Sequence, residues 1–283
     1  MLTSARSREK YQGSPLLRRD RRSWAFDPTT PNVARLYDYY LGGKDNFAAD
    51  REAAERILSV APELRLAARE NRAFLGRAVR FLARQGITQF LDIGTGLPTQ
   101  GNVHEVASEV VEDARVVYVD KDPVVLGHAR ALLAEADGHT VVVEGDLRRP
   151  EDILENEDVV KAIDFGRPVG LLLVAIMHFI REEDDPARIV ATLRDALPPG
   201  SYFVMSHGTR DARAEAVTTG TKVYENAAAP LVLRSRLEIE ALFDGFDLVD
   251  PGLVWLPQWR PDQPHLFDPP ERSLILCGVG RKT

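Results

Sequence analysis

Two glycines and two carboxylates define the chemistry this chain could do. From Phe90 to Pro98 it reads F-L-D-I-G-T-G-L-P, an apolar run that ends in Asp92 and breaks at Gly94 and Gly96 around Thr95. Glycine tolerates positive φ and lets main chain approach a ligand closely, so a strand can deliver its chain here to a nucleotide-like cofactor. G-x-G alone is also an ordinary tight turn. A second apolar run, V-V-Y-V-D from Val116, closes on Asp120 at the offset expected of a ribose-binding acid. A carboxylate suits a sugar diol because it accepts two charge-assisted hydrogen bonds. Asp120 could instead cap the helix opening at Pro123. Asp92 would organise the glycine turn by accepting backbone N–H bonds.

Two histidines stand where later apolar runs end. His178 could serve as a general base or a polar anchor in an acceptor pocket, or be structural. His207 could line that pocket or cap a turn beside Gly208. His104 and Glu105 are neighbours on a helical pattern and point in different directions, so no metal site is expected there. The segment 37–46 carries Tyr40, Gly42-Gly43, Lys44 and Asp45; a packing layer explains the aromatics, yet Gly-Gly-Lys-Asp-Asn is typical of a loop that closes over cofactor or acceptor. Tyr40 and Lys44 are therefore substrate-side candidates. Trp255, Trp259 and Arg260 form a further pocket wall or pack beneath the Pro-rich stretch 257–270.

These residues need an alternating scaffold to meet. Apolar runs at 88–93, 115–120, 140–144, 169–175, 201–206, 246–249 and 273–279 read as strands, with helical patterns clearest at 123–136, 186–196 and 235–243. Strands apolar on both faces imply a mostly parallel sheet covered by helices. Ahead of them, Val33, Leu36, Tyr37, Tyr40 and Leu41 recur at helical spacing up to Gly42-Gly43, and further helical patterns cover 47–60, capped by Asn46, and 62–85. Residues 1–30 read as a mobile basic tail, 31–86 as a helical cap and 87–283 as the cofactor domain. With 283 residues, 44% hydrophobic and 28% charged, the chain can bury one large core. A net charge of -7 disfavours nucleic acid and anionic membrane as partners. Cys277 is the only cysteine and reads as a buried strand thiol. No apolar stretch approaches the roughly 20 residues that span a bilayer, so a soluble cytoplasmic protein is expected. Oligomeric state is not legible.

A dinucleotide fingerprint wants a third small residue where Thr99 stands and an apolar one where Asp92 stands. The D-x-G-x-G pattern instead resembles motif I of class I S-adenosylmethionine-dependent methyltransferases. That resemblance implies further roles: Asp120 binding both ribose hydroxyls with Lys121 beside it, Asp146 in V-E-G-D-L receiving the adenine amino group, and Leu147 offering its N–H. It also implies that the run at 171–180, L-L-L-V-A-I-M-H-F-I, is the fourth strand and its exit, with Ala175 facing the methionine end. More specifically, residues 31–283 resemble the actinobacterial S-adenosyl methyltransferase family long described as a domain of unknown function. The match lies in A-R-L-Y-D-Y-Y-L-G-G-K-D-N-F at 34–47, A-D-R at 49–51, E-N-R-A-F-L at 70–75, F-L-D-I-G-T-G-L-P-T at 90–99 and N-V-H-E-V-A at 102–107. It implies an α/β, Rossmann-like class I fold with a seven-stranded, mostly parallel sheet, and S-adenosylmethionine as cofactor. The A-I-M-H exit departs from the Asn/Asp-Pro-Pro-Tyr form of exocyclic-amine DNA methyltransferases. With the acidic charge, this favours a small-molecule acceptor, a protein acceptor staying open. The alternatives are a noncatalytic regulator on the same fold and an NAD-dependent oxidoreductase.

Overall fold

Continuous apolar runs become strands buried on both faces. The computed structural model describes residues 27–98, 101–132, 139–212, 230–262 and 269–283. Most of the basic tail, Thr99, the end of the 123–136 helical pattern and part of the Pro-rich stretch lie outside them. Strands β1 (Gln89–Ile93), β2 (Arg115–Asp120), β3 (Thr140–Glu144), β4 (Gly170–Val174) and β5 (Tyr202–Gly208) are parallel. Beyond β5 the chain forms β6 (Asp247–Leu248), β7 (Val254–Trp255) and β8 (Ile275–Arg281), and β8 runs antiparallel to β5. The order is β3-β2-β1-β4-β5-β8-β6, with β7 also paired to β8. Among the described residues there are thus eight strands against the expected seven, because the outermost column is split. β6 pairs with Gly280 and Arg281, and β7 with Leu276 and Cys277. Pro251, between the two, has no N–H to give to a ladder.

One sheet face packs Leu91, Val117, Leu171 and Phe203 against Ile153, Val159, Ile189 and Ile239. The last four come from helices α6 (Pro150–Leu154), α7 (Glu157–Ala162), α8 (Pro186–Ala196) and α9 (Arg236–Ala241). The opposite face packs Phe90, Val116 and Val204 against Phe74 and Val79 of α3 (Leu64–Arg84) and Val106 of α4 (Val103–Ser108). The strand order reverses between β1 and β4, and ligands bind outside the carboxyl ends of strands at such a switch point.

Helices α1 (Val33–Leu41) and α2 (Ala48–Leu58) share a small core of Leu36, Tyr40, Ala54 and Ile57 with Ala68 of α3. Their connection differs from the sequence reading. Asn46 does not cap α2; its amide donates to Asp38 at 2.8 Å, and the Asp50 carboxylate accepts the Phe47 N–H at 2.8 Å instead. Gly43 lies so close to Asp38 that a Cβ would fall 1.9 Å from its Oδ1. The Gly-Gly pair therefore lets the turn wrap a buried carboxylate, and Lys44 is left exposed on the outside. Among the described residues, no helix is long and apolar enough to cross a membrane.

Arg35 and Asp50 form an ion pair at 2.8 Å with side chains only 3% and 0% exposed. Asp50 also accepts the Asn32 N–H at 2.9 Å. Removing one partner of such a pair strands a buried charge. Arg35→Met should lower stability by about 3 kcal/mol in urea titrations, and the double change with Asp50→Leu should recover only part of that loss, because the Asn32 and Phe47 N–H groups lose their acceptor.

Candidate active site

A cavity of about 380 Å³ opens over the strand ends, between the sheet and α1 to α3. Its floor is the glycine turn. Gly94 and Gly96 have φ of +78° and +68°, a region side chains disfavour. Gly94 is pressed against Ile176, where a Cβ would come within 2.5 Å of the side chain, whereas a Cβ on Gly96 would meet nothing within 4 Å. Bare main chain thus faces the cavity at Gly96. The turn is fixed by the Gly94 N–H donating to Val119 O at 2.8 Å and by Thr95 Oγ1 donating to Asp92 O at 3.1 Å.

Asp120 reaches across from the end of β2. Its Oδ2 accepts the Gly96 N–H at 3.0 Å and its Oδ1 the Asp122 N–H at 2.9 Å. Burial raises its pKa, with Asp122 adding to the rise and these backbone bonds opposing it. The helix-capping alternative falls to its neighbour: Asp122 Oδ1 accepts the Val124 N–H at 2.7 Å at the start of α5 (Pro123–Leu132). Asp122 Oδ2 takes the Asn32 amide at 2.5 Å, which ties the N-cap of α1 to this loop.

Asp92 lines the cavity, and among the described residues it accepts none of the turn's N–H groups that the sequence reading assigned to it. Burial pushes its carboxyl up to about 7; the Arg72 charge pulls it down and Asp120 pushes it further up. At the third strand's exit, Asp146 accepts Arg148 Nε at 2.9 Å and the Arg148 N–H at 3.1 Å. Burial raises this carboxyl, but the Arg148 bonds and Lys121 outweigh it, leaving it below its ordinary value. Leu147 is buried and its N–H donates to none of the described residues, while Lys121 lines the cavity from an exposed position.

The exit of β4 is held by a buried polar chain. Ala175 sits at φ +57° and donates its N–H to Ser206 Oγ at 2.9 Å. Ser206 Oγ donates to Asn71 Oδ1 at 2.6 Å, Asn71 Nδ2 to Tyr37 at 2.9 Å, and the Tyr37 hydroxyl to Ala68 O at 3.0 Å. Asn71, Arg72 and Asn32 were not singled out in the sequence, and Tyr37 only as the first residue of the segment 37–46. A signal for Asn71 existed: it is a polar residue four places from both Ala67 and Leu75 on the apolar stripe of α3. Pro31-Asn32 ahead of Val33 is a helix-start pattern.

The substrate-side candidates separate. Tyr40 is buried and lines the cavity; Lys44 does not, because its loop turns around Asp38. His207 is fully buried outside the lining, its Nδ1 at 2.7 Å from Gly208 O and its Nε2 at 3.1 Å from Arg234 Nη1. Burial lowers its pKa to about 4. It is part of the frame around Arg234, which also donates to Met177 O at 3.2 Å and Ile180 O at 3.0 Å. His178 lines the cavity, and its Nδ1 accepts the Gly208 N–H at 3.2 Å. Burial, then His207 and Arg234, hold its pKa well below the ordinary value. Trp259 and Arg260 stack on α3, with Trp259 5.4 Å from Phe74 and Arg260 4.2 Å from Phe81, so neither they nor Trp255 line the cavity. His104 Nδ1 lies 2.8 Å from the Tyr118 hydroxyl, and Glu105 accepts the Asn102 N–H at 2.8 Å.

Comparison with known proteins adds an independent line. The model of the S-adenosyl methyltransferase family matches residues 19–283. A candidate methyltransferase from Thermobifida fusca, known as a crystal structure, is 45% identical over 92% of this chain and 97% of its own, with a TM-score of 0.85. A DUF574 family protein from Streptomyces avermitilis is 41% identical over 91% of this chain and 99% of its own, with a TM-score of 0.86. Among proteins with curated descriptions none matches. With a glycine turn, an acid at the end of β2 and a match running through nearly the whole sequence, the chain belongs to the S-adenosyl methyltransferase family: it is an S-adenosylmethionine-dependent methyltransferase on a class I fold.

Proposed function

We propose that the cavity holds S-adenosylmethionine along the exits of β1 to β4 and a small-molecule methyl acceptor against α1 and α2. The observation that carries this is Asp120. Each of its oxygens accepts one backbone N–H, so each keeps lone-pair capacity for one hydroxyl of a sugar diol. The uncommitted Leu147 N–H and the bare main chain at Gly96 support the same fit. Asp146 and Leu147 would hold the adenine, and Arg148 would keep the Asp146 carboxylate aligned. Arg72 and Asp92 offer opposite charges to a zwitterionic amino-acid end, with Thr95 and Gly94 shaping the turn between them. Ala175 would present β4's exit to the same end. When bound, the cofactor supplies an electrophilic methyl group for in-line displacement, so the protein contributes alignment and exclusion of water.

A cavity of about 380 Å³ falls within the size range of small-ligand pockets. The net charge of -7 supports a small acceptor over nucleic acid. In this reading residues 31–86 act as the cap and 87–283 as the cofactor domain. A cytoplasmic location fits Cys277, a buried thiol whose pKa burial raises.

Calorimetric titration with S-adenosylmethionine tests the cofactor half. Asp120→Asn, which removes the charge and leaves one of the two backbone N–H groups without its acceptor, should weaken binding by about 10- to 100-fold and lower the thermal midpoint modestly. Unchanged affinity would remove Asp120 from the site. Asp92 gives a second test. A carboxyl whose folded pKa is raised from 3.8 to about 7 binds more protons folded than unfolded, so its contribution to stability falls as pH rises through that window. Asp92→Asn should abolish that fall. It should be more stable than wild type above about pH 7, by no more than a few kcal/mol at about 1.4 kcal/mol per pH unit, yet bind the cofactor less tightly.

A further inference from the structure

One wall of the cavity is the small core around α1 and α2. Tyr37, Tyr40, Ile57, Leu64, Phe179 and Leu231 all belong to that cluster and all line the cavity. His178 borders it, its ring 4.4 Å from that of Phe179. The charges acting on His178 are His207 and Arg234, and no carboxylate is among them.

The hydrogen bonding of His178 restricts what it can do. A neutral imidazole has one donor and one acceptor nitrogen, and Nδ1 is committed as acceptor of the Gly208 N–H. The proton is therefore assigned to Nε2. Among the described residues Nε2 has no hydrogen-bond partner and the ring lines the cavity, so its N–H is the one available to an occupant. Such a ring can donate but cannot take up a proton at Nε2. The nearby hydroxyls are no better placed as bases: Tyr37 donates to Ala68 O, and Thr209 Oγ1 donates to Arg234 O at 2.8 Å.

Of the carboxylates lining the cavity, Asp92, Asp120 and Asp146 belong to the cofactor side in this reading. Asp122 accepts from Val124 and Asn32, Glu183 pairs with Arg181 and Asp184 accepts the Arg181 N–H, so an acceptor here must bring a nucleophile that is already deprotonated. A neutral amine has one lone pair and cannot both accept the His178 N–H and attack. An alkanol stays protonated near neutral pH, and a carboxylate would press its second oxygen against the apolar wall at a desolvation cost. A phenol or enol meets every condition: it ionises at accessible pH, its oxyanion has lone pairs for both the N–H and the attack, and its ring suits an aromatic wall.

We propose that the methyl acceptor is an apolar phenolic or enolic compound, bound as its oxyanion and held by the Nε2–H of His178, with none of the described residues acting as base. This rests on the reading that the glycine-turn side of the cavity holds the cofactor. In the transfer the oxyanion's electron pair forms the new O–C bond while the C–S bond breaks and its pair stays on sulfur. The opposite charges cancel, and the hydroxyl proton has already left to solvent.

The test is a pH titration of para-nitrophenol by its visible phenolate absorbance, with the full-length protein saturated with S-adenosylhomocysteine, which lacks the sulfonium charge. The bound probe should ionise about one unit below the free probe. His178→Leu should lose that shift, and His178→Gln, which restores an N–H donor, should keep part of it. A probe that does not bind, that ionises at or above its free value, or that keeps its shift in His178→Leu overturns the proposal. If His178→Leu does not fold, the wild-type and His178→Gln titrations decide. Calorimetric uptake of S-adenosylhomocysteine by the same samples separates the two readings. No uptake by wild type removes the cofactor reading itself; uptake without a phenolate shift removes only the acceptor proposal.

Discussion

The whole site hangs on how one buried carboxylate is satisfied. Asp120 is pulled from water at the end of β2, and that burial is opposed by backbone N–H groups, foremost those of Asp122 and Gly96. Those bonds fix the glycine turn after β1 relative to the loop after β2, elements that the sheet alone would place only approximately. The constraint then continues outward, because Asp122 caps α5 and accepts from Asn32, the N-cap of α1. A line of hydrogen bonds joins the bare main chain at Gly96 to the first helix of the cap. Any change in the charge of Asp120 is felt along it.

A second buried line sets the other side of the cavity. Ala175 at positive φ is a strained conformation for a residue with a side chain, costing on the order of 1–3 kcal/mol. Its N–H is held by Ser206, and Ser206 by Asn71 and Tyr37 on α3 and α1. Arg234 completes the frame, clamping the turn at Met177 and Ile180 from a segment far along the chain. In a low-dielectric interior such networks rigidify when fully satisfied, which suits a reaction that depends on alignment.

How much of this the sequence disclosed follows from the range of each interaction. The inner strands were legible because both their faces are buried, so each reads as an uninterrupted apolar run. The sheet edge was legible only in part: the run at 246–249 holds β6, whereas β7, two residues long and set apart by Asp250-Pro251-Gly252, carries no strand signal. Gly94, Gly96 and Asp120 were legible as positions at strand ends, and the structure brings them to one cavity. Lys44 and Asn46 were misplaced because Asp38, seven and eight residues from their turn's contacts, takes up the Gly-Gly bend. His207 looked pocket-facing only because its partner Arg234 lies 27 residues away in sequence. The protonation pattern of His178 depends on Gly208 across the sheet and has no sequence trace at all.

The central claim is that a nucleoside lies against Asp120 with its sulfur end turned toward His178. The most direct measurement is a crystal structure of the protein with S-adenosylhomocysteine. The account predicts both ribose hydroxyls within hydrogen-bond distance of the two Asp120 oxygens, the adenine beside Asp146 and Leu147, and open space between sulfur and the imidazole. A nucleoside lodged elsewhere, or an Asp120 carboxylate that makes no contact with the sugar, would contradict it.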